Sequence, residues 1–559
     1  MSVRRALRTI TVSATTGALA LGAAWAGTGL VPVKAPKLPV QVGTGTGTGA
    51  VPAPAPAAAG VAPDPANVLP APGQGQFLVG ASKISMEPRP DASKGQRWNR
   101  NRDECAILSP EGGQHAATHV ADFRSRWPEN PDCLYMGGYG LGPMNPITSW
   151  EPTYGLYVRT VAVADAAGDT AVMTIIDATS YMAAYNRMCG PRGKPKKQVV
   201  APLNTAGNTC GAIAIADSLR AELGKTPANF QLLLASTHSH TAPDLIGGWG
   251  GVPDWYMAQI EQAIKTSVRD AVRNMEPAVI EAGEVLARNR SGERRDFYRS
   301  AEDNTESWFR AYVPGDTPRV IATVGAFAAH PVTADEGGGV GNADFPGVFS
   351  KNIESTDGGT ALFFQTGLGN MSPRGSTVEM GNGLADLIPA VGSGTLQTDS
   401  NVKVAQEFWD QPVTNSGLTA LGVPGFFDRP FAQTPATLQT GKNPSGKPCI
   451  SASPTSVRTS VSAARIGNLW VSGAPGEIFS NIGNVLEEQR PGGIVFPLAQ
   501  VNDGLGYLVQ SFETDHLGRQ GVGFVGTVAE YEDAYSIDHC FGDKALETTI
   551  GLFGRVSGA

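Results

Sequence analysis

The sequence predicts a mixed α/β fold: one large catalytic-size domain of mixed β-sheets flanked by helices, with its active site at strand C-terminal ends. Three observations predict it. Short apolar runs rich in β-branched and aromatic residues recur along the chain, each bounded by turn residues, as buried strands are. Segments with apolar residues at three- and four-residue steps lie between some of them, as amphipathic helices do. No Pro/Gly-rich stretch divides the chain after residue 76, so strands and helices read as one unit, 76–559.

Two segments precede that unit. Arg4, Arg5 and Arg8 stand before an apolar stretch from Ile10 to Trp25, and Ala24-Trp25-Ala26 has the small-x-small form of a cleavage site. Residues 1–26 therefore read as a secretory signal peptide, with the paired arginines raising a twin-arginine route. Residues 27–75, with GTGTGTG followed by VPAPAPAAAG, cannot bury a core and read as a disordered linker. Much of the Gly and Pro content, 69 and 41 of 559 residues, belongs to this linker and to turns after strands.

The folded unit opens with FLVGASKIS at Phe77. Further strands are expected in VRTVAVAD, TAVMTIIDAT, NFQLLLAST, RVIATVGAFAA, ALFFQT, NLWVSGA and IVFPLAQ. A helix is expected over Ala212 to Leu223, stopped by Gly224. A second covers Asp254 to Met275, with Met257, Ile260, Ile264, Val268 and Ala271 on one stripe, Asp254 as its cap and Pro277 beyond its end. A third runs from Glu477 to Gln489, ahead of Pro491. The poorly periodic stretch 375–450 reads as a long surface insertion.

Charge and cysteines narrow the function. The formal charge is −8 and the one short basic run is Lys194 to Lys197, which excludes a nucleic-acid binder. Beyond the leader no run of about 20 apolar residues occurs, so no further membrane span is expected. Six cysteines, with no CxxC pair, fit disulfides in an exported protein. Of the 15 possible pairings, local closure favours Cys105–Cys133 and Cys189–Cys210, leaving Cys449–Cys540.

Candidate chemistry collects where strands end. His238 and His240 follow NFQLLLAST, and His330 follows RVIATVGAFAA. The period of two along a strand places both members of an H-x-H pair on one side. Imidazole is the commonest metal ligand, and a carboxylate completes many catalytic zinc sites while leaving a position for water. Glu477 follows NLWVSGA, Ser372 follows ALFFQT, and Tyr507 follows IVFPLAQ, each in a Gly- or Pro-containing turn. Ligands bind beyond strand C-termini in sheets with helical connections. Each residue alone has a plainer reading: a structural histidine, a loop hydroxyl, or, for Glu477, an acid facing a helix dipole. His115, His119, His516 and His539 lack this context and read as structural or solvated. There is no GxSxG, HExxH or P-loop, and the GxGxxG match at 521–526 has no βαβ unit after it.

From about Gln76 to Cys540 these motifs resemble the neutral/alkaline (non-lysosomal) ceramidase family. The resemblance rests on FLVGASKIS, YMGGYG, GLYVRTVAVAD, ASTHSHTAP, the NRS at 289–291, FAAHP, NADFPG, GNMSP, APGE and DGLGY. It implies one Zn2+ per chain held by His238, His330, Glu477 and Tyr507, with His240 and Arg290 at the substrate and Ser372 as nucleophile. The sequence departs from the family at Asn370, where an Asp is usual, and at Arg374, where an Asn is usual. The chain also leaves no room for the family's C-terminal immunoglobulin-like domain. The expectation is a secreted or envelope-associated zinc amidohydrolase that cleaves the N-acyl bond of ceramide-like lipids to a fatty acid and a sphingoid base. Transient contact with a membrane surface would accompany such a substrate. Ser372 has two candidate roles, covalent nucleophile or support of the acyl oxygen; no partner base is visible, which favours support. A metallo-esterase or amidase on another acyl substrate, or an inactive lipid-binding or envelope protein of the same fold, are the alternatives.

Overall fold

The structure, a computed structural model, describes residues 73, 75–105, 132–139, 142–185, 211–295, 301–335, 338–423, 427–429, 431–443, 446–490, 492–514 and 531–558. The leader, nearly all of the linker, Lys194 to Lys197, the Cys189–Cys210 pair, His115, His119, His516 and the 521–526 match lie outside the described residues.

Twelve strands form the main paths of the two principal sheets: β1 (Phe77–Ser85), β2 (Tyr157–Ala164), β3 (Thr170–Ile176), β4 (Phe230–Ser236), β5 (Glu276–Leu286), β6 (Thr305–Val313), β7 (Arg319–Phe327), β8 (Thr360–Gln365), β9 (Val402–Pro412), β10 (Ser456–Ile466), β11 (Leu469–Gly473) and β12 (Ile494–Leu498), with the short strand Thr395–Leu396 added beside β5. The larger sheet runs β8-β7-β6-β5-β1-β2-β3-β4, and the smaller runs β9-β10-β11-β12. All eight expected strands form. Their unbroken apolar character has a structural cause, burial on both faces. Along β4, Phe230, Leu232 and Leu234 face one way and Leu233 and Ala235 the other. The inward set joins Val79, Val161, Met173, Ile280, Phe309, Val324, Phe364, Val471 and Phe496 in a central core shared by both sheets.

Each outward set has its own helical cover. The helices are α1 (Ala212–Leu223), α2 (Asp254–Arg273), α3 (Asp344–Thr356), α4 (Thr377–Ala385), α5 (Ser480–Glu488) and α6 (Phe541–Val556). Helices α1 and α2 cover β1 to β4 through Ile215, Leu219, Ile260, Ile264 and Val268. Helices α3 and α4 cover β7 and β8 through Phe345, Phe349, Met380 and Leu384. Helices α5 and α6 cover the smaller sheet through Ile482, Leu486, Leu552 and Phe553.

Most pairings are antiparallel, but β3–β4, β7–β8 and β11–β12 are parallel. Parallel neighbours need a crossover, and α1, α3 and α5 supply one each. The fold thus contains three βαβ units. The large sheet coils until its edge strands β4 and β8 touch, which brings the C-terminal ends of these units together.

Several elements differ from expectation. The 375–450 stretch is no surface insertion: it holds α4, β9, a helix at Ser416–Gly422 and the hairpin Ala436–Lys442/Pro448–Ser453. Strand β9 pairs with β10 from Val402↔Ile466 to Pro412↔Ser456. Its residues between Lys403 and Phe408 are only half-buried or exposed, so no apolar run marks it. Helix α4 starts in a capping box between Ser376 and Glu379. Asp254 is the first helical residue of α2 and makes no side-chain cap, because Pro253 holds the capping position. Pro277 lies beyond the end of α2 as expected, and there it sits inside β5, opposite Leu78. Helix α1 and its left-handed stop at Gly224 (φ 65) are as expected.

Two disulfides are present among the described residues, Cys105–Cys133 and Cys449–Cys540, both in the expected pairing. Among these residues no helix is long and apolar enough to cross a membrane.

One buried group makes a stability test. Glu306 on β6 is 0% exposed, and neither carboxylate oxygen has a partner. Burial pushes its carboxyl well above the ordinary range, opposed by the charge of Arg290. The folded chain then keeps a proton that the unfolded chain has already released. Stability is therefore full below the unfolded value and falls as pH rises toward the folded one. Glu306→Gln is expected to remove that decline, about 1.4 kcal/mol per pH unit, in urea unfolding as pH rises above the ordinary carboxylate range. A variant with the same pH slope as the parent would refute it.

Candidate active site

His238 follows β4 in an unusual backbone state, φ 63. A non-glycine residue there costs about 1–3 kcal/mol and marks a site where geometry is imposed. Gln500 (φ 57) and Asn502 (φ 59), after β12, share that state. Asn502 Oδ1 accepts from Leu234 N at 3.0 Å, and Gln500 reaches His238 Nδ1 at 3.3 Å. Strand periodicity is therefore not what aligns His238 with His240, since the chain leaves β4 before His238. The turn does it.

Two imidazoles are oriented from behind. His238 Nδ1 donates to Thr179 O at 2.8 Å, and His330 Nδ1 donates to Leu368 O at 2.7 Å. With the proton fixed at Nδ1, each Nε2 presents its lone pair forward. Glu477 lies between them, its Oε2 3.4 Å from His238 Nε2 and 3.0 Å from His330 Nε2. Glu477 belongs to a two-residue strand paired in parallel with Tyr507–Leu508, so it is not the first-turn acid of α5. The strand comes this close because Gly476 has no side chain: a Cβ there would stand 2.3 Å from Gly506 O.

His240 completes the group. Its Nε2 lies 3.3 Å from His238 Nε2, and one ring nitrogen each of His238, His240 and His330 falls within 4.8 Å of the others. Its ring meets Tyr139 edge-on at 5.2 Å. It rests on Gly138 (φ 118), where a Cβ would stand 2.3 Å from the imidazole.

Electrostatics keep His330 and His240 neutral. Burial, then the charge of Arg294, lowers His330 to about 4. Burial, with His238 and His330 behind it, holds His240 well below its ordinary value. Burial opposes ionisation of Glu477, but the facing imidazoles of His238 and His330 outweigh it, so its carboxyl is held well below the ordinary range. Three imidazole nitrogens and one carboxylate converging in a buried space make a ready donor set for a cation. The donor set fits a first-row divalent ion such as zinc.

Tyr507 is buried at the rim of this group, its ring 6.2 Å from that of His330. Its hydroxyl accepts from Arg294 Nη2 at 2.9 Å, and Arg294 also donates to Glu532 and to Gly369 O. Ser372 lies opposite Gly292, next to Met371, whose carbonyl accepts from His330 N. Its hydroxyl has no hydrogen bond among the described residues. Arg290 is not brought to the histidines: it donates to Glu379 O of α4, with its guanidinium over Gly383. The arginine that reaches Tyr507 is Arg294, which the sequence reading missed. No motif marked it beyond its place four residues after Arg290. The departure at Asn370 also has a physical reason. Its amide donates to Glu293 Oε2 (2.7 Å) and Ser480 Oγ (2.8 Å), bonds that an ionised aspartate cannot give.

Beside the group opens an apolar cavity of about 130 Å³, lined by Met182, Ile246, Trp249, Phe427, Phe431 and Tyr531 along with His238, His240, Glu477 and Tyr507. The site is thus a buried histidine–carboxylate centre at the convergence of three βαβ units, opening on an apolar pocket. No protein-family model matches the chain and no curated protein sequence matches it. Solved structures do. Neutral ceramidase from Pseudomonas aeruginosa aligns with TM-score 0.55 at 14% identity, covering 86% of this chain and 75% of that one. A ceramidase complexed with C2 aligns with TM-score 0.55 at 15% identity, covering 86% and 76%. The fold is that of the neutral ceramidases.

Proposed function

We propose that the chain is an exported zinc-dependent amidohydrolase that releases the fatty acid from ceramide-like N-acyl lipids. The observation that carries this reading is the Glu477 carboxylate 3.0 Å from His330 Nε2 and 3.4 Å from His238 Nε2, beside an apolar pocket. In it, residues 1–26 are the export signal, 27–75 a linker and 76–559 the catalytic domain. Brief contact with a lipid surface delivers the substrate.

His238, His330 and Glu477 would hold the metal, with Tyr507 at its edge. A zinc ion there would supply Lewis-acid polarisation of the acyl carbonyl and acidify a water molecule. His240, neutral and fixed by Gly138 and Tyr139, takes up the proton and returns it to the leaving amine. Arg294 holds the Tyr507 hydroxyl in place, a residue other than Arg290, which the resemblance puts at the substrate. Arg290 fastens α4 instead. Ser372 supports the acyl oxygen, and its position beside the His330 turn suits that role. The apolar wall takes one hydrocarbon chain of the substrate.

The test is fatty-acid release from N-acylsphingosine by the mature protein, with a long-chain ester and a simple N-acyl amide run alongside. Release from the sphingolipid alone supports the reading; release only from the ester or simple amide assigns a different acyl substrate. Ser372→Ala is expected to keep measurable turnover, whereas a covalent acyl-enzyme trapped on Ser372 would overturn the support role.

A further inference from the structure

The segment after His240 winds around a single carboxylate. Asp244 is 0% exposed. Its Oδ1 accepts from Ile246 N (3.0 Å) and Gly247 N (2.9 Å), and its Oδ2 accepts from Trp249 N (2.7 Å) and Gly251 N (2.8 Å). Four N–H donors use the acceptor positions a carboxylate offers. The loop closes this tightly because Gly247, Gly250 and Gly251 take φ of 89°, 129° and 72°, which side chains disfavour. Space is closed as well: a Cβ on Gly250 would stand 2.3 Å from the Tyr135 ring. Backbone bonds tie the outside of the loop to the neighbouring segment, with Asp244 N donating to Tyr135 O and Gly142 N donating to Gly248 O.

This loop carries two side chains to the pocket, Ile246 and Trp249. Trp249 N is the donor nearest to Asp244, so the carboxylate fixes the backbone from which the indole projects. Among the described residues no hydrogen bond joins Asp244 to the histidine centre; it reaches the pocket through the loop. We propose that Asp244 is a positioning residue that sets the affinity of the pocket for a long hydrocarbon chain by holding Trp249 as its wall. Only the name of the ligand, an acyl chain, rests on the hydrolase reading above.

The test uses Asp244→Asn, which keeps the shape but turns an –NH2 toward two of the N–H donors. The probe is a fluorescent long-chain fatty acid, whose dissociation constant is measured on the parent, Asp244→Asn, Trp249→Ala and the double variant. Each single change is expected to weaken binding about tenfold, and the double change no further than Trp249→Ala alone, because both act through the same indole. Additive losses of about a hundredfold, unchanged binding by Asp244→Asn, or no binding by the parent would each overturn the proposal. If Asp244→Asn does not fold, Gly251→Ala loosens the same loop at its φ 72 residue. It is expected to weaken binding only in chains that keep Trp249. Fatty-acid binding needs no hydrolysis. A parent that binds the probe through Trp249 yet cleaves no amide would sink the function and leave this inference standing. Active protein with an Asp244-independent affinity would do the reverse.

Discussion

Glu477→Gln is expected to leave the protein folded, strip it of zinc and abolish acyl release. The substitution keeps the volume of the side chain and removes the one anion facing His238 and His330, which lie 3.4 and 3.0 Å from it. Loss of an outer partner of a metal ligand typically costs about 10–100-fold in affinity, and loss of the charged ligand itself should cost more. His330→Ala should behave the same way, since His330 is the closer of the two imidazoles to Glu477. Metal content by elemental analysis, beside the circular dichroism spectrum of each variant, checks both. A folded Glu477→Gln protein that retains zinc and turnover would contradict the ligand assignment.

His240→Gln separates two arrangements that share His238 and His330. In the proposed one His240 moves a proton, so the variant keeps its zinc and loses about 10²–10⁴ in turnover. In the other, His240 replaces Glu477 in a three-histidine set, an arrangement that its position within 4.8 Å of His238 and His330 permits. Zinc would then leave with the imidazole. Metal content and kcat measured on the same preparation decide between them. Retained metal with a large fall in kcat is the expected result.

The fold was legible where burial is two-sided. Strands β2, β3, β4, β7 and β8 lie between the central core and a helical layer, so both faces are apolar and the run is continuous. Strand β9 was not legible because its Lys403 to Phe408 segment is half-wet. Helix α3 hid behind Pro346 and Gly347, which sit in its first turns. Among the candidate site residues, those that end apolar strands, His238, His330 and Glu477, were legible in sequence, and the structure brings them together. The reason given for His238 and His240 was incomplete, since a left-handed residue and not strand period turns His238 inward. Arg294 and Asp244 were missed for a common reason. Each acts through a contact across the chain or around a loop, with Tyr507 Oη and with four backbone N–H groups, and neither spacing nor composition displays such contacts.

The central claim is that three converging βαβ units build one metal centre that hydrolyses an N-acyl lipid. Metal analysis of the mature protein, coupled to fatty-acid release from N-acylsphingosine before and after chelation, tests it most directly. The account predicts one zinc per chain, loss of release on chelation and recovery when zinc is returned. Full release from protein that holds no metal would contradict it.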